Sequence, residues 1–130
     1  MNGKCLLDTN IVIALFKGEP KVLKELARCK TYVPAIVIGE LRYGAEKSER
    51  SDSNHTQIDA LINEVIVLPI TTEMGNYYGE IKNQLRSSGK RIPENDIWIA
   101  AISMENDIAL FTRDKHFANI NDLKTKSWDI

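Results

Sequence analysis

The sequence predicts an α/β fold of three layers, α/β/α, around a central parallel sheet of four to five strands. Two observations carry that expectation. Short apolar runs of strand length, KCLLD (4–8), TYVP (31–34), VIVLPI (65–70) and IALF (108–111), recur between helical stretches long enough to cross back over a sheet. Acids or their near neighbours also stand just past the ends of several of these runs, the edge at which open α/β sheets bind ligands.

The elements follow in order. The first strand, 4–8, ends in Asp8. Asp8, Thr9 or Asn10 suits the cap of the next helix, IVIALFKG, which Gly18 and Pro20 stop. KVLKELARC (21–29) places Val22, Leu23, Leu26 and Ala27 on one helical face. After the strand 31–34, a helix over 35–47 turns Val37, Leu41 and Gly44 inward. The charged turn EKSERSDS (46–53) leads to a helix near 54–64 with Ile58, Leu61, Ile62 and Val65 in register, so that the two helices form a hairpin. Pro69 ends the third strand. Thr71 or Thr72 then caps a helix whose stripe is Met74, Tyr77, Tyr78, Ile81 and Leu85, closed by Gly89. Pro93 and the acidic turn Glu94 to Asp96 open a buried helix. Ile97, Ala100, Ala101 and Met104 repeat at helical spacing there, and Trp98 and Ile102 supply a second apolar face. The tripeptide at 105–107 breaks it before IALF, and WDI (128–130) suits a last edge strand.

Composition sets the outer limits. The chain has 130 residues, 43% hydrophobic and 27% charged, which fits one domain spanning 1–130 with a real core. A net charge of −1 argues against a general nucleic-acid coat protein and is silent about an enzyme that acts on one. Cys5 and Cys29, separated in sequence, have no metal-ligand spacing and read as buried thiols of a reducing compartment. No signal peptide precedes Lys4, and no apolar run reaches the roughly 18 residues of a membrane span, so a cytoplasmic location is expected.

The chemistry lies in the acids. Asp8 follows the first strand and Asp114 the fourth. Asp96 opens the helix that feeds the fourth strand, and Glu40 borders the inward stripe of the 35–47 helix. Each has a plain alternative as a cap, a turn residue or a macrodipole partner. If the first and fourth strands are neighbours, however, all four face one cleft. Four carboxylates together repel one another unless protonated or neutralised by a cation, and all-oxygen ligands suit Mg²⁺ or Mn²⁺ rather than zinc. Such a site hydrolyses phosphodiesters. Asn10 and Thr112, each two residues from an acid, are candidates to orient those acids or to contact substrate, although Thr112 also fits an ordinary strand position. Arg113 and Lys115 flank Asp114 and are the leading candidates for phosphate contact. Arg42, Lys47, Arg50, Lys82, Arg86, Lys90 and Arg91 are further cations that suit either RNA or a solvated helix face.

LLDTN, the glutamate of IGELRYG, PENDIWIAA and LFTRD, with the trailing HF of KHF, resemble in order and spacing the PIN-domain ribonucleases, specifically VapC-type toxins of toxin–antitoxin pairs. The resemblance covers essentially the whole chain. It implies that Asp8, Glu40, Asp96 and Asp114 are metal-binding and catalytic. It further implies Mg²⁺- or Mn²⁺-dependent RNA cleavage, a homodimer, and inhibition by a VapB-type antitoxin. Competing readings are weaker. A haloacid-dehalogenase-like phosphatase needs a second acid where Asn10 stands, a receiver domain needs an acid where Pro69 ends the third strand, and metal-free cleavage rests on His55 and His116 alone. A non-catalytic PIN-like binding module would have no need of all four acids.

Overall fold

The structure, a computed structural model, describes residues 3–127. Its elements are β1 (Lys4–Leu7), α1 (Thr9–Phe16), α2 (Pro20–Leu26), β2 (Lys30–Pro34), α3 (Ala35–Glu46), α4 (Ser51–Glu64), β3 (Ile66–Leu68), α5 (Thr72–Ser87), α6 (Glu94–Asn106), β4 (Leu110–Phe111) and β5 (Thr125–Lys126). A 3₁₀ turn, Lys115–Asn119, lies between the last two strands. The strands form one parallel sheet in the order β3-β2-β1-β4-β5, with the helices layered on it. The expected three-layer α/β/α architecture is therefore present.

The strand order carries the functional consequence. From β1 the chain builds outward on one side through β2 and β3, then returns to build β4 and β5 on the other. The order reverses between β1 and β4, and at such a reversal the two flanking connections diverge and leave a crevice. Leu6 pairs with Leu110 and Leu7 with Phe111. The Asp8 N–H donates to Phe111 O at 3.0 Å, and the Thr112 N–H donates to Lys126 O at 3.0 Å. This ladder brings residues 8 and 112 side by side.

The centre of the sheet is fully buried through Leu6, Leu7, Val33, Leu110 and Phe111, which is why these strands read as continuous apolar runs. Helix α6 buries Ile97, Ile99, Ala100, Ala101, Ile102 and Ser103, almost its whole circumference. The second apolar face expected around Trp98 and Ile102 is covered by α5: Ile102 is fully buried, and Tyr78 stacks on Trp98 with ring centroids 4.2 Å apart. Asp107 adopts the left-handed conformation (φ 51°) that ends α6, so the helix takes in the first two residues of the tripeptide expected to break it.

Local differences from expectation have simple causes. Helix α4 starts at Ser51 rather than near 54, because Asp52 favours its first turn and the Asn54 N–H bonds Arg50 O at 2.9 Å. The inward row of α3 is Val37, Leu41 and Ala45, a strict i, i+4 series, so Ala45 replaces Gly44 in the core. Leu23 is 45% exposed, since the short α2 turns only Val22 and Leu26 to the core. The last strand is Thr125–Lys126, and WDI lies outside the described residues. Cys5 and Cys29, distant in sequence, are neighbours in the fold. Burial above all, with Cys29 adding to it, pushes the Cys5 thiol up to about 12.

Ile102 is fully buried, so Ile102→Ala should cost about 2–5 kcal/mol, the range for truncating such an isoleucine. Urea unfolding followed by circular dichroism measures it.

Candidate active site

The carboxyl edge of β1 and β4 opens into a cavity of about 540 Å³ lined by Asp8, Thr9, Asn10, Ile13, Glu40, Pro93, Glu94, Asn95, Asp96 and Asp114. The four acids singled out in the sequence thus share one cavity, each delivered by a different element.

Asp8 caps α1: its Oδ1 accepts from the Thr9 N–H at 2.8 Å, and its Oδ2 accepts from the Thr112 hydroxyl at 2.6 Å. Asp8 therefore caps α1 and lines the cavity at the same time. Asp8 is buried, and that burial raises its pKa. The bonds from Thr112 and Thr9 pull it back, while Glu40 and Asp114 push it further up. Glu40 lies at the inner border of α3, half-buried, and its Oε1 accepts from the Thr9 hydroxyl at 2.9 Å. The partner of Glu40 is thus a neutral hydroxyl and not a cation. Arg42 points elsewhere, to His55 and to Asp59 at 2.6 Å.

Asp96 enters from the first turn of α6, where its N–H bonds Pro93 O. Burial, then the charges of Asp8, Asp114 and Glu40, raise its pKa to about 6, with His116 acting in the opposite direction. Asp114 follows β4 and caps the 3₁₀ turn through the His116 N–H at 2.9 Å. That turn swings the imidazole back, so that His116 Nδ1 lies 3.1 Å from Asp114 Oδ1. One ligand atom each from Asp96, Asp114 and His116 lie within 4.8 Å of one another.

The residues expected to support the acids divide. Thr112 is buried and bridges two of them: its hydroxyl donates to Asp8 and accepts from the Asp114 N–H at 3.0 Å. The Asn10 side chain donates to Asp8 Oδ2 at 3.4 Å and accepts from the Arg113 N–H at 3.2 Å, so it ties α1 to the loop after β4. Arg113 departs from expectation. Its guanidinium grips Glu19 through two hydrogen bonds, at 2.8 and 3.1 Å, and is directed away from the cavity instead of offered to a phosphate. Lys115 is exposed beside Asp114. Glu94, in the same helical turn as Asp96, is exposed and held by Lys82 at 2.6 Å and by the Tyr78 hydroxyl.

In the sequence His116 stands out only beside His55, as the basis of metal-free cleavage, and Thr9 only as a cap. The Asp-x-His spacing at 114–116 was the available signal for the first, because a capped turn returns residue i+2 to the capping carboxylate. Nothing local announced Thr9, whose partner lies 31 residues away.

The raised pKa of Asp8 and Asp96 reflects carboxylates gathered without a counter-charge, and oxygen donors with one imidazole could hold a hard divalent cation. The class so defined is a parallel α/β/α domain with an acidic cluster in the crevice at its sheet reversal. The PIN domain family model matches residues 5–123, and the chain belongs to that family. Ribonuclease VapC2 of Haemophilus influenzae is 36% identical over 96% of this chain and 98% of its own length. The solved structure of VapBC-1 from nontypeable Haemophilus influenzae matches with a TM-score of 0.87 at 32% identity, covering 95% of this chain and 97% of that one. VapBC2 from Rickettsia felis, solved bound to a DNA fragment from its promoter, matches with a TM-score of 0.88 at 29% identity, covering 96% and 98%.

A carboxylate whose pKa is raised on folding disfavours the folded state above that pKa. The native state holds the proton that the unfolded chain has released, so stability falls as pH rises from the ordinary aspartate range through about 6. In EDTA, Asp96→Asn should therefore melt above the parent at neutral pH, and the gap should close as pH falls toward 4. Thermal melts across that range, with and without Mn²⁺, test this, and the ion should shrink the gap at neutral pH.

Proposed function

We propose that this protein is a divalent-metal-dependent endoribonuclease of the VapC type, the toxin of a type II toxin–antitoxin pair. The observation that carries the reading is the convergence of Asp8, Glu40, Asp96 and Asp114 on one cavity at the β1–β4 edge. The names of its relatives, ribonucleases VapC and VapBC assemblies, support the choice of RNA as substrate and of a VapB-type antitoxin as partner. On this reading, residues 1–130 are one nuclease domain that works as a homodimer.

Asp96 and Asp114 are the best-placed ligands for Mg²⁺ or Mn²⁺, with Asp8 and Glu40 on the same cavity wall and His116 at its rim. When bound, such an ion lowers the pKa of a coordinated water and neutralises charge on the phosphodiester. The chain's own residues do the positioning. Thr112 holds the Asp8 carboxylate and the Asp114 backbone in one frame. Thr9 holds one oxygen of the Glu40 carboxylate, which keeps that side chain at the cavity wall. Asn10 fastens the start of α1 to the Arg113 backbone, so the acids of α1 and of the 112–114 loop keep their spacing. His116 sets the orientation of the Asp114 carboxylate.

Purified protein should cleave RNA with Mg²⁺ or Mn²⁺ and lose that activity in excess EDTA; full activity in EDTA would overturn the mechanism. Asp96→Asn should lower cleavage on the order of 10³-fold or more, the scale for removing one member of a catalytic set, with the fold intact. Expression in a bacterial host should arrest growth, and Asp8→Asn should relieve the arrest. Thr112→Val should weaken Mn²⁺ binding about 10–100-fold, the usual cost of losing a group that orients a metal ligand; the metal-dependent rise in melting temperature reads this without any RNA.

A further inference from the structure

The acid cavity presents a problem that its own residues do not solve. Among the described residues five carboxylates and no cation line it, so it repels the polyanion it would have to cut, and affinity for the strand has to come from outside. A second cleft, of about 430 Å³, lies next to it. Glu94 lines both, and Lys82, Arg86, Lys90 and Arg91 supply the positive charge of the second.

Intramolecular needs account for only part of that charge. Lys82 is committed to Glu94 and the Tyr78 hydroxyl. Arg86 bonds Asn83 at 2.8 Å and sits in the last turn of α5, where the helix macrodipole favours a cation. Lys90 and Arg91 lie past the helix cap, exposed, and among the described residues neither side chain makes a hydrogen bond or ion pair. Their placement is nonetheless fixed. Gly89, at φ 68°, reverses the chain, and the Lys90 N–H returns to Leu85 O at 2.9 Å, so the connection leaves α5 in a defined direction. Asp96 is five residues beyond Arg91, which keeps their Cα atoms within about 18 Å even for an extended chain. The connection from α5 to α6 therefore carries two unpaired cations on a short tether to the helix turn that holds Asp96.

We propose that this cleft binds the phosphates of the RNA strand flanking the scissile bond, with Lys90 and Arg91 as the principal contacts. The inference rests on the nuclease reading of the acid cavity. In it, Lys82 serves a boundary role: by neutralising Glu94, it lets a phosphate pass from the cationic cleft to the acidic one.

The test separates binding from cleavage. In EDTA, anisotropy of a short unstructured fluorescent RNA gives Kd as a function of salt for the parent, for Lys90→Gln/Arg91→Gln, and for Lys21→Gln/Lys24→Gln, a charge-matched control on α2. Each phosphate contact on a single strand contributes about 0.7 to the slope of log K against log salt, so the 90/91 variant should lose about 1.4 of that slope, with Kd higher on the order of tenfold at low salt. In Mg²⁺ the same variant should raise KM and keep kcat. Unchanged Kd and slope, or an equal loss in the α2 control, would overturn the cleft while parental cleavage in Mg²⁺ leaves the nuclease reading standing. A parent that cleaves no RNA with any divalent ion would remove both.

Discussion

The pairing of β1 with β4 is the constraint on which the site depends. Two short strands, separated by most of the chain, lie side by side in parallel, and their carboxyl ends set Asp8 beside Thr112. One hydroxyl then does what no backbone contact does, donating to the Asp8 carboxylate and accepting from the Asp114 amide. The acids of the first and last segments are thus referenced to each other through a single buried side chain. Asp96 and Glu40 join from α6 and α3, which pack against each other.

That arrangement works against folding and is sustained by the rest of the molecule. Burial and mutual repulsion raise the pKa of Asp8 and of Asp96, so each costs stability at neutral pH when no cation is present. The opposing contribution is the apolar belt below the site. It consists of strands buried on both faces and a helix, α6, enclosed around nearly its whole circumference. Local hydrogen bonds moderate the cost further, since Thr9 serves two acids at once, its N–H going to Asp8 and its hydroxyl to Glu40.

Much of this was legible in the sequence, for identifiable reasons. Parallel strands covered on both faces read as unbroken apolar runs, and the 93–106 segment showed apolar residues on more faces than one surface helix needs. Acids directly after strands were visible as such, and strand adjacency at a topological reversal was enough to bring them together. What escaped depended on side-chain direction across long sequence separations. The hydroxyl facing Glu40, the Glu19 partner of Arg113 and the approach of Cys29 to Cys5 are choices made by tertiary packing, and no local pattern encodes them. His116 lies between these cases, because its spacing from Asp114 was readable but its return to that carboxylate required the 3₁₀ turn.

The Arg113–Glu19 pair has a mechanical consequence. Glu19 stands immediately before Pro20, at the entry to α2, and Arg113 lies one residue before Asp114 in the loop after β4. The guanidinium is partly enclosed, with its Nε buried and bonded to nothing among the described residues, and its two outer nitrogens both bond the Glu19 carboxylate. Asp114 is consequently anchored at two points, by Thr112 from the sheet and through its neighbour from the α1–α2 corner. A segment that would otherwise sway as a free loop is braced like a strut, and it carries its carboxylate with the stiffness of the helices on either side.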